Sequence, residues 1–323
     1  MKPGRRVVVA ICAALVVGPA FAQSYPSRPV RVVVPFPAGG SADLLGRALA
    51  KKMSEGLGQQ VVVENRAGAG GTIGIGAVAK APADGYTLGL GTVSTLGMAP
   101  VVRAVPPYDS LAAFAPVSLV ASAPFLLVVN ASVPAKSLAE LVDLAKSQPG
   151  RLNFASIGEG TLQHFSGERF KSLTGAGIVH VPYKGVAPAL VDLLSGQVQI
   201  LFDILASFQL QNIQSGKLRA LAVAGPARIA QLPSVPTMAE AGLPGFEVTA
   251  WFGLIAPRAT PPEIVARLNE EVRRAAGSSE MREVISAQGF EPSASSPGQF
   301  SDVIRTEIAK WMQVVKTSGF KAE

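Results

Sequence analysis

Apolar residues in this chain follow two alternating patterns: short β-branched runs, and longer stretches whose apolar positions repeat every three or four residues. Val30, Val32, Val33 and Val34 form the first run, and Pro35, Pro37, Gly39 and Gly40 stop it. Behind Ser41, a plausible N-cap, Leu44, Leu45, Ala48 and Leu49 recur at helical spacing and predict a helix over 41–55. A strand at Gln60–Asn65, a helix over 72–80 and a strand at Tyr86–Thr92 follow. A second series starts with a long apolar segment, Val117–Asn130. It continues through a helix at Ser137–Gln148, a strand at Leu152–Ser156, a helix over 161–173, a strand at Ile178–Tyr183 and a helix over 187–195. Strands at Val198–Asp203 and Leu218–Gly225 complete it. Pro- and Gly-rich sequence between 225 and 247 leads to the apolar run Val248–Pro257, and helices over 261–276 and 298–317 close the chain.

Strands alternating with helices across short turns predict an α/β fold with mixed, mostly parallel sheets flanked by helices. Val117–Asn130 is long for one strand, which predicts that it leaves one sheet and enters another, and Val248–Pro257 is a second candidate for such a crossing. The expected organisation is two α/β lobes, residues 23–122 with 247–323 and residues 123–246, with a ligand cleft between them at the strand ends.

The N-terminus changes this picture by removing residues from it. Lys2, Arg5 and Arg6 precede an apolar stretch, Val7–Val17, and Ala20-Phe21-Ala22 forms a small-x-small cleavage signal before Gln23, so residues 1–22 are expected to be an export signal and the protein periplasmic. The only cysteine, Cys12, lies within it, leaving no disulfide and no thiolate metal site in the mature chain. Without Lys2, Arg5 and Arg6 the formal charge falls from +7 to +4, with no basic stripe interleaved with aromatics. Nucleic acid is therefore not an expected partner, no membrane span follows the signal, and a monomer without a cofactor is expected.

Candidate chemistry concentrates in glycine-rich strand-to-helix turns. The turn after Val34 ends at a helix start whose backbone N–H groups are unpaired, which suits a small anion. It has no Lys-Ser or Lys-Thr after its glycines and no GxGxxG spacing, so it is neither a P-loop nor a dinucleotide turn. Leu152–Phe170 repeats the arrangement, with Ser156 ending a strand, glycines at 158 and 160, and Thr161 as cap. Facing each other, the two turns would form a pincer of backbone donors that needs no arginine. Asn65–Gly76 is a third such turn, but Ile73 occupies the third glycine position of a dinucleotide fingerprint. Thr92 and Ser94 could bind a ligand or cap the next helix. Tyr183 could wall a pocket, with Lys184 beside it as a pocket group or a solvated loop charge. Asp203 could orient a water or a ligand ammonium group, or cap a helix. His164 and His180 are the only histidines, and no GxSxG or HExxH pattern occurs, so a hydrolase built on His164 with Ser156 or Ser166 is the weaker reading.

The ordered set YPSRPVRVVVPFPAGGSADLLGRALA, VVVENRAGAGGTIGIGAVAKAPADGYTL, LNFASIGEGTLQHFSGERF, VPYKGVAPALVDLLSGQVQILFD and LPSVPTMAEAGLPGFEVTAWFGLIAP resembles the substrate-binding component of tripartite tricarboxylate transporters, the Bug family of periplasmic receptors. The resemblance spans nearly all of residues 25–317. It implies a type II, two-lobed periplasmic binding protein that closes over a small organic carboxylate and delivers it to a membrane permease, or reports it to a membrane sensor, and it implies no enzyme activity. It carries over Phe36, Ala38, Gly39, Gly40, Ser41 and Asp43 from the first turn, Ser156, Gly158, Gly160 and Thr161 from the second, and Asp203 at the family's phenylalanine–aspartate position. Thr95-Leu96 and Ala99-Pro100 stand where family members commonly read Thr-His and Asn-Pro. This implies a drier pocket that favours an aromatic or apolar acid if Leu96 and Ala99 reach the cleft, and core packing if they do not.

Overall fold

The computed structural model describes residues 25–103 and 105–318, so the expected export signal lies outside the described residues. In chain order the elements begin with β1 (Val30–Val34), α1 (Ser41–Leu57), β2 (Val61–Asn65), a 3-10 turn (Ala69–Gly71), α2 (Thr72–Ala79), β3 (Thr87–Thr92), a π-turn (Val93–Met98), α3 (Ala99–Val102), α4 (Ser110–Ala113) and β4 (Phe114–Asn130). The second half contains α5 (Leu138–Ser147), β5 (Leu152–Ser156), α6 (Leu162–Thr174), β6 (Ile178–Pro182), α7 (Val186–Ser195), β7 (Ile200–Ile204), α8 (Ser207–Gln214) and β8 (Leu218–Val223). The chain ends with β9 (Thr249–Pro257), α9 (Pro262–Gly277), α10 (Ser279–Ala287), β10 (Glu291–Pro292) and α11 (Pro297–Ser318).

The strands lie in the order β2-β1-β3-β9-β4-β7-β5-β6, with β8 and β10 also on β4. The outer pairs are parallel, as the strand–helix alternation predicts. The centre is antiparallel, because β4 and β9 run against their neighbours. β4 joins the two halves of the sheet: Phe114–Pro124 pair with β9, and Phe125–Asn130 pair with β7 and β8. β9 does not cross in the same way. Its partners are β3 and the first part of β4, and the return between halves is made just before it, where Phe125 N donates to Val248 O and Val248 N donates to Ala224 O.

Burial follows position in the sheet. β3 and β7 are buried along their whole length, as strands covered on both faces must be. β1 buries all but Arg31. The core runs unbroken between the halves through Phe125 on β4 and through an edge-to-face pair, Phe165 on α6 against Trp311 on α11, at 5.7 Å.

Two further helices, α8 and α10, fall outside the elements that the apolar pattern predicts. α8 buries Gln209 and Asn212, while Leu210 and Ile213 pack partly buried against the smaller apolar cluster, so its inward face is mixed. α10 follows α9 after a single residue, Ser278, whose hydroxyl accepts from Met281 N. Leu96 and Ala99 lie in the core, 0% and 2% exposed, and do not line the cleft, so of the two alternatives drawn for them core packing applies and they give no ground for a drier pocket.

Gly167 allows α6 to seat on β5, since a Cβ there would overlap the ring of buried Phe154. That ring is held by a 5.0 Å stack on His180. Gly167→Ala is therefore expected to destabilise the protein by about 1–3 kcal/mol from overpacking, more than the ~1 kcal/mol that alanine adds in helix propensity. Urea unfolding checks this, and a stabilised variant would show that the ring can move.

Candidate functional site

A cavity of about 130 Å³ lies between the sheet halves, at the ends of β1 and β3 on one side and of β5, β6 and β7 on the other. By the same measure a water takes roughly 10–15 Å³, so it has room for on the order of ten water-sized volumes, enough for one small organic molecule.

One end is formed by two helix starts. α1 begins after Gly40 and α7 after Gly185, and neither N-cap has a side chain to bond the first backbone N–H groups. The two turns meet across the cleft: a Cβ at Gly40 would lie 3.6 Å from Val186 Cγ1, and one at Gly185 would lie 3.2 Å from Pro37 Cγ. Ala38, Gly40 and Ser41 line the cavity from one side, and Lys184, Gly185 and Val186 from the other. Gly185 has φ +140°, a conformation L side chains rarely adopt, and this backbone brings the α7 start to the cleft.

The other end is aromatic and contains one acid. Phe125, Trp251 and Phe252 wall it, and Asp203, from the end of β7, faces into it. Trp251 is fixed by an Nε1–H bond to Glu307 Oε2 at 3.3 Å and by an edge contact with Phe300. Asp203 is 5% exposed and accepts from Gln163 Nε2 at 3.1 Å. Burial pushes its carboxyl up to about 6, against the Ile204 N–H and Gln163 bonds that favour the ionised form.

The residues expected from sequence divide between lining and framework. Phe36, Ala38, Gly40, Ser41, Thr92, Ser94 and Asp203 line the cavity. Asp43 points away from it: its carboxylate accepts from Gly39 N at 2.9 Å, Arg47 Nε at 3.0 Å and Asn65 Nδ2 at 2.9 Å. Burial opposes its ionisation, but those bonds prevail and hold its carboxyl below the usual range. Gly39 and Asp43 therefore shape the turn from behind.

The second expected turn reaches the cavity through residues other than those singled out. Ser156, Gly158, Gly160 and Thr161 do not line it, although their neighbours Ile157, Leu162 and Gln163 do. Much of the turn's hydrogen-bonding capacity is used internally. Gly158 N donates to Ser156 Oγ, Thr161 Oγ1 donates to Gly158 O at 2.6 Å, and Gly160 N donates to His164 Nδ1. Leu162 N donates across the cleft to Ser94 Oγ at 3.0 Å, so the start of α6 latches the halves together. The β6–α7 turn, rather than the β5–α6 turn, is the one whose residues approach Pro37 and Gly40 of the first. The signal for it is Gly185 ahead of an apolar helix.

Tyr183 is likewise framework. Its hydroxyl donates to Asp192 Oδ2 at 2.7 Å, and burial, that bond and the carboxylate charge push it up to about 12. Lys184, open between pocket and solvent from sequence, lines the cavity. The Asn65–Gly76 turn packs against the β5–α6 turn, where a Cβ at Gly70 would lie 2.9 Å from Glu159 O.

The hydrolase reading loses its geometry. Ser156 Oγ is 2.7 Å from His180 Nε2, not from His164, and Ser166 Oγ donates to Leu162 O within α6. Both serines are fully buried and off the cavity. His180 stacks on His164 at 3.9 Å, and burial together with the His164 and Lys171 charges lowers its pKa to about 4. No group of three or more His, Cys, Asp or Glu among the described residues could hold a metal.

A cavity at strand ends, between two sheet halves that share the crossing strand β4, with helix starts that carry no side-chain cap meeting over it, is the architecture of a two-lobed solute-binding receptor. The model of TctC, the tripartite tricarboxylate transporter family receptor, matches residues 45–320, and the chain belongs to that family. It is 42% identical to the protein BugT of Bordetella pertussis over 96% of this chain and 95% of that protein. Among solved structures, R. palustris Rpa4515 with adipate shares 40% identity at a TM-score of 0.86, covering 91% of this chain and 98% of that one. MatC from Rhodopseudomonas palustris with bound malate shares 36% at 0.85, covering 90% and 100%.

Proposed function

We propose that this protein is a periplasmic receptor that captures a small organic carboxylate and delivers it to the membrane permease of a tripartite tricarboxylate-type transporter, without catalysing a reaction. The observation that carries this reading is the meeting of the α1 and α7 starts over a small cavity between the sheet halves. Unpaired N–H groups at helix starts favour a carboxylate, and Lys184 adds positive charge at the same end. The adipate and malate bound by two relatives support an organic acid as the ligand class. No helix among the described residues is long and apolar enough to cross a membrane. The proposed binding set is Phe36, Ala38, Gly40, Ser41, Thr92, Ser94 and Asp203, extended by Lys184, Gly185 and Trp251.

The lobes are proposed to divide where β4 changes partners, near Pro124–Phe125, and where the chain returns at Val248. A carboxylate reaching both helix starts gains its full set of bonds only when the lobes are closed, so it must shift the population toward closure. Closure is the change a permease can read. Calorimetry with adipate, malate and a panel of monocarboxylates tests the ligand class, and failure of every acid to bind would overturn it. Small-angle scattering is expected to show a smaller radius of gyration once a binding acid is added. An unchanged radius with binding established would mean that the cleft is closed beforehand.

A further inference from the structure

The two ends of the cavity have opposite chemistry. β6 and β7 flank β5 in the sheet, so the α7 start after β6 and Asp203 at the end of β7 are two strand spacings apart, roughly 10 Å. At the first end stand the α1 and α7 starts and Lys184; at the second stands a buried acid among Phe125, Trp251 and Phe252. No cation neighbours Asp203 among the described residues: its partners are the amides of Gln163, Gln209 and Ile204. The Gln209 bond is long, at 3.5 Å, and an ionised carboxylate offers about four acceptor sites, so capacity remains for a donor arriving from the cavity.

We propose that the ligand is a monocarboxylate with an apolar body whose far end is a hydrogen-bond donor, such as a hydroxyl, accepted by Asp203. The proposal rests on the carboxylate-receptor reading and narrows it. A dicarboxylate such as the adipate or malate of the relatives would place its second charge against Asp203 in a site walled by aromatic rings, where like charges are poorly screened. A plain monocarboxylate would leave Asp203 with no partner in the cavity. An acid ending in a hydroxyl meets both ends, and the aromatic walls cover the body between them.

Two matched sets of acids test this by calorimetry at pH 8, where Asp203 is ionised: hexanoate, ω-hydroxyhexanoate and adipate, and benzoate, para-hydroxybenzoate and terephthalate. In at least one set the hydroxy acid is expected to bind at least tenfold tighter than the plain acid, with the diacid weakest. Asp203→Asn keeps an acceptor for Gln163 and adds an amide donor to the cavity. It is expected to remove the hydroxy-acid advantage and to improve diacid binding at least tenfold. The wild-type ranking stands by itself should the variant fold poorly. Diacids that bind wild type as tightly as the hydroxy acids overturn this proposal while leaving the receptor reading in place. Absence of binding by all six acids overturns both.

Discussion

Gly40→Leu is expected to leave the fold intact and to weaken binding of any acid the cleft accepts by about 100-fold or more, while Gly40→Ala stays within about threefold. Gly40 has ordinary extended backbone, φ −82° and ψ 168°, so a side chain there creates no strain. Its Cβ position is 3.6 Å from Val186 across the cleft, a normal contact that alanine satisfies. Leucine carries atoms beyond the Cβ into the gap that α1 and α7 must close. With the wedge in place, a carboxylate held by the α1 start loses the N–H groups of α7. Two charge-assisted hydrogen bonds at roughly 1.5 kcal/mol each amount to about 3 kcal/mol, or about 100-fold. The poorer N-cap costs a few tenths to about 1 kcal/mol, small beside the 5–15 kcal/mol typical of a domain. Calorimetry gives the affinity, thermal unfolding confirms the fold, and scattering should show a variant that no longer contracts with ligand. Wild-type affinity in Gly40→Leu would mean that the α7 start does not touch the ligand.

Asp203 and His180 are expected to oppose each other in the pH dependence of stability. The folded pKa of Asp203, about 6, lies above its unfolded value of 3.8, so the folded state holds that proton more tightly. Its contribution is therefore favourable at low pH and is lost as pH rises from about 4 to 6, by roughly 3 kcal/mol. His180 is the reverse case. Its folded pKa, about 4, lies below its unfolded value of 6.5, so stability rises with pH across that window. Discounted for partial exposure, the gain is on the order of 2 kcal/mol. Between pH 4.5 and 6.5 the two slopes offset each other in the wild type. Relative to wild type, Asp203→Asn should be more stable by roughly 1–3 kcal/mol at pH 7.5, with no gain remaining at pH 4. His180→Gln should lose less stability than wild type on acidification from pH 7 to 4.5. Urea titrations across this range measure both differences. A gain for Asp203→Asn that does not change with pH would show that its carboxyl titrates in its ordinary range.

Side-chain character explains which parts of this were legible in the chain. The strand–helix alternation, the long β4 and the glycine turns are local patterns, and each appears in the fold at nearly the predicted positions. α8 was not legible because its buried residues, Gln209 and Asn212, are polar and only Leu210 and Ile213 pack on the core beside them, too short an apolar pattern to mark a helix. The cavity was legible on the side of the first turn, at Phe36, Ala38, Gly40 and Ser41. On the other side, two turns of similar composition competed. The glycine-rich Gly158–Thr161 turn, which attracts attention in a sequence, satisfies itself with local hydrogen bonds, and the plainer Lys184–Pro188 segment reaches the cleft.

The chain by itself determined most of the secondary elements, the crossing strand, the family and the presence of a glycine turn suited to an anion, because each depends on residues close in sequence or on an ordered set of motifs. Tertiary structure alone decided which helix start faces α1, that Asp43 and Tyr183 brace turns rather than line the cavity, and that Asp203 stands among Phe125, Trp251 and Phe252. Those outcomes depend on strand order: β6 and β7 flank β5, while β4 and β9 bring Phe125 and the sequence-distant Trp251 and Phe252 to the same wall. Hydrogen-bond partners and desolvation are properties of that assembled neighbourhood, and no local pattern encodes them.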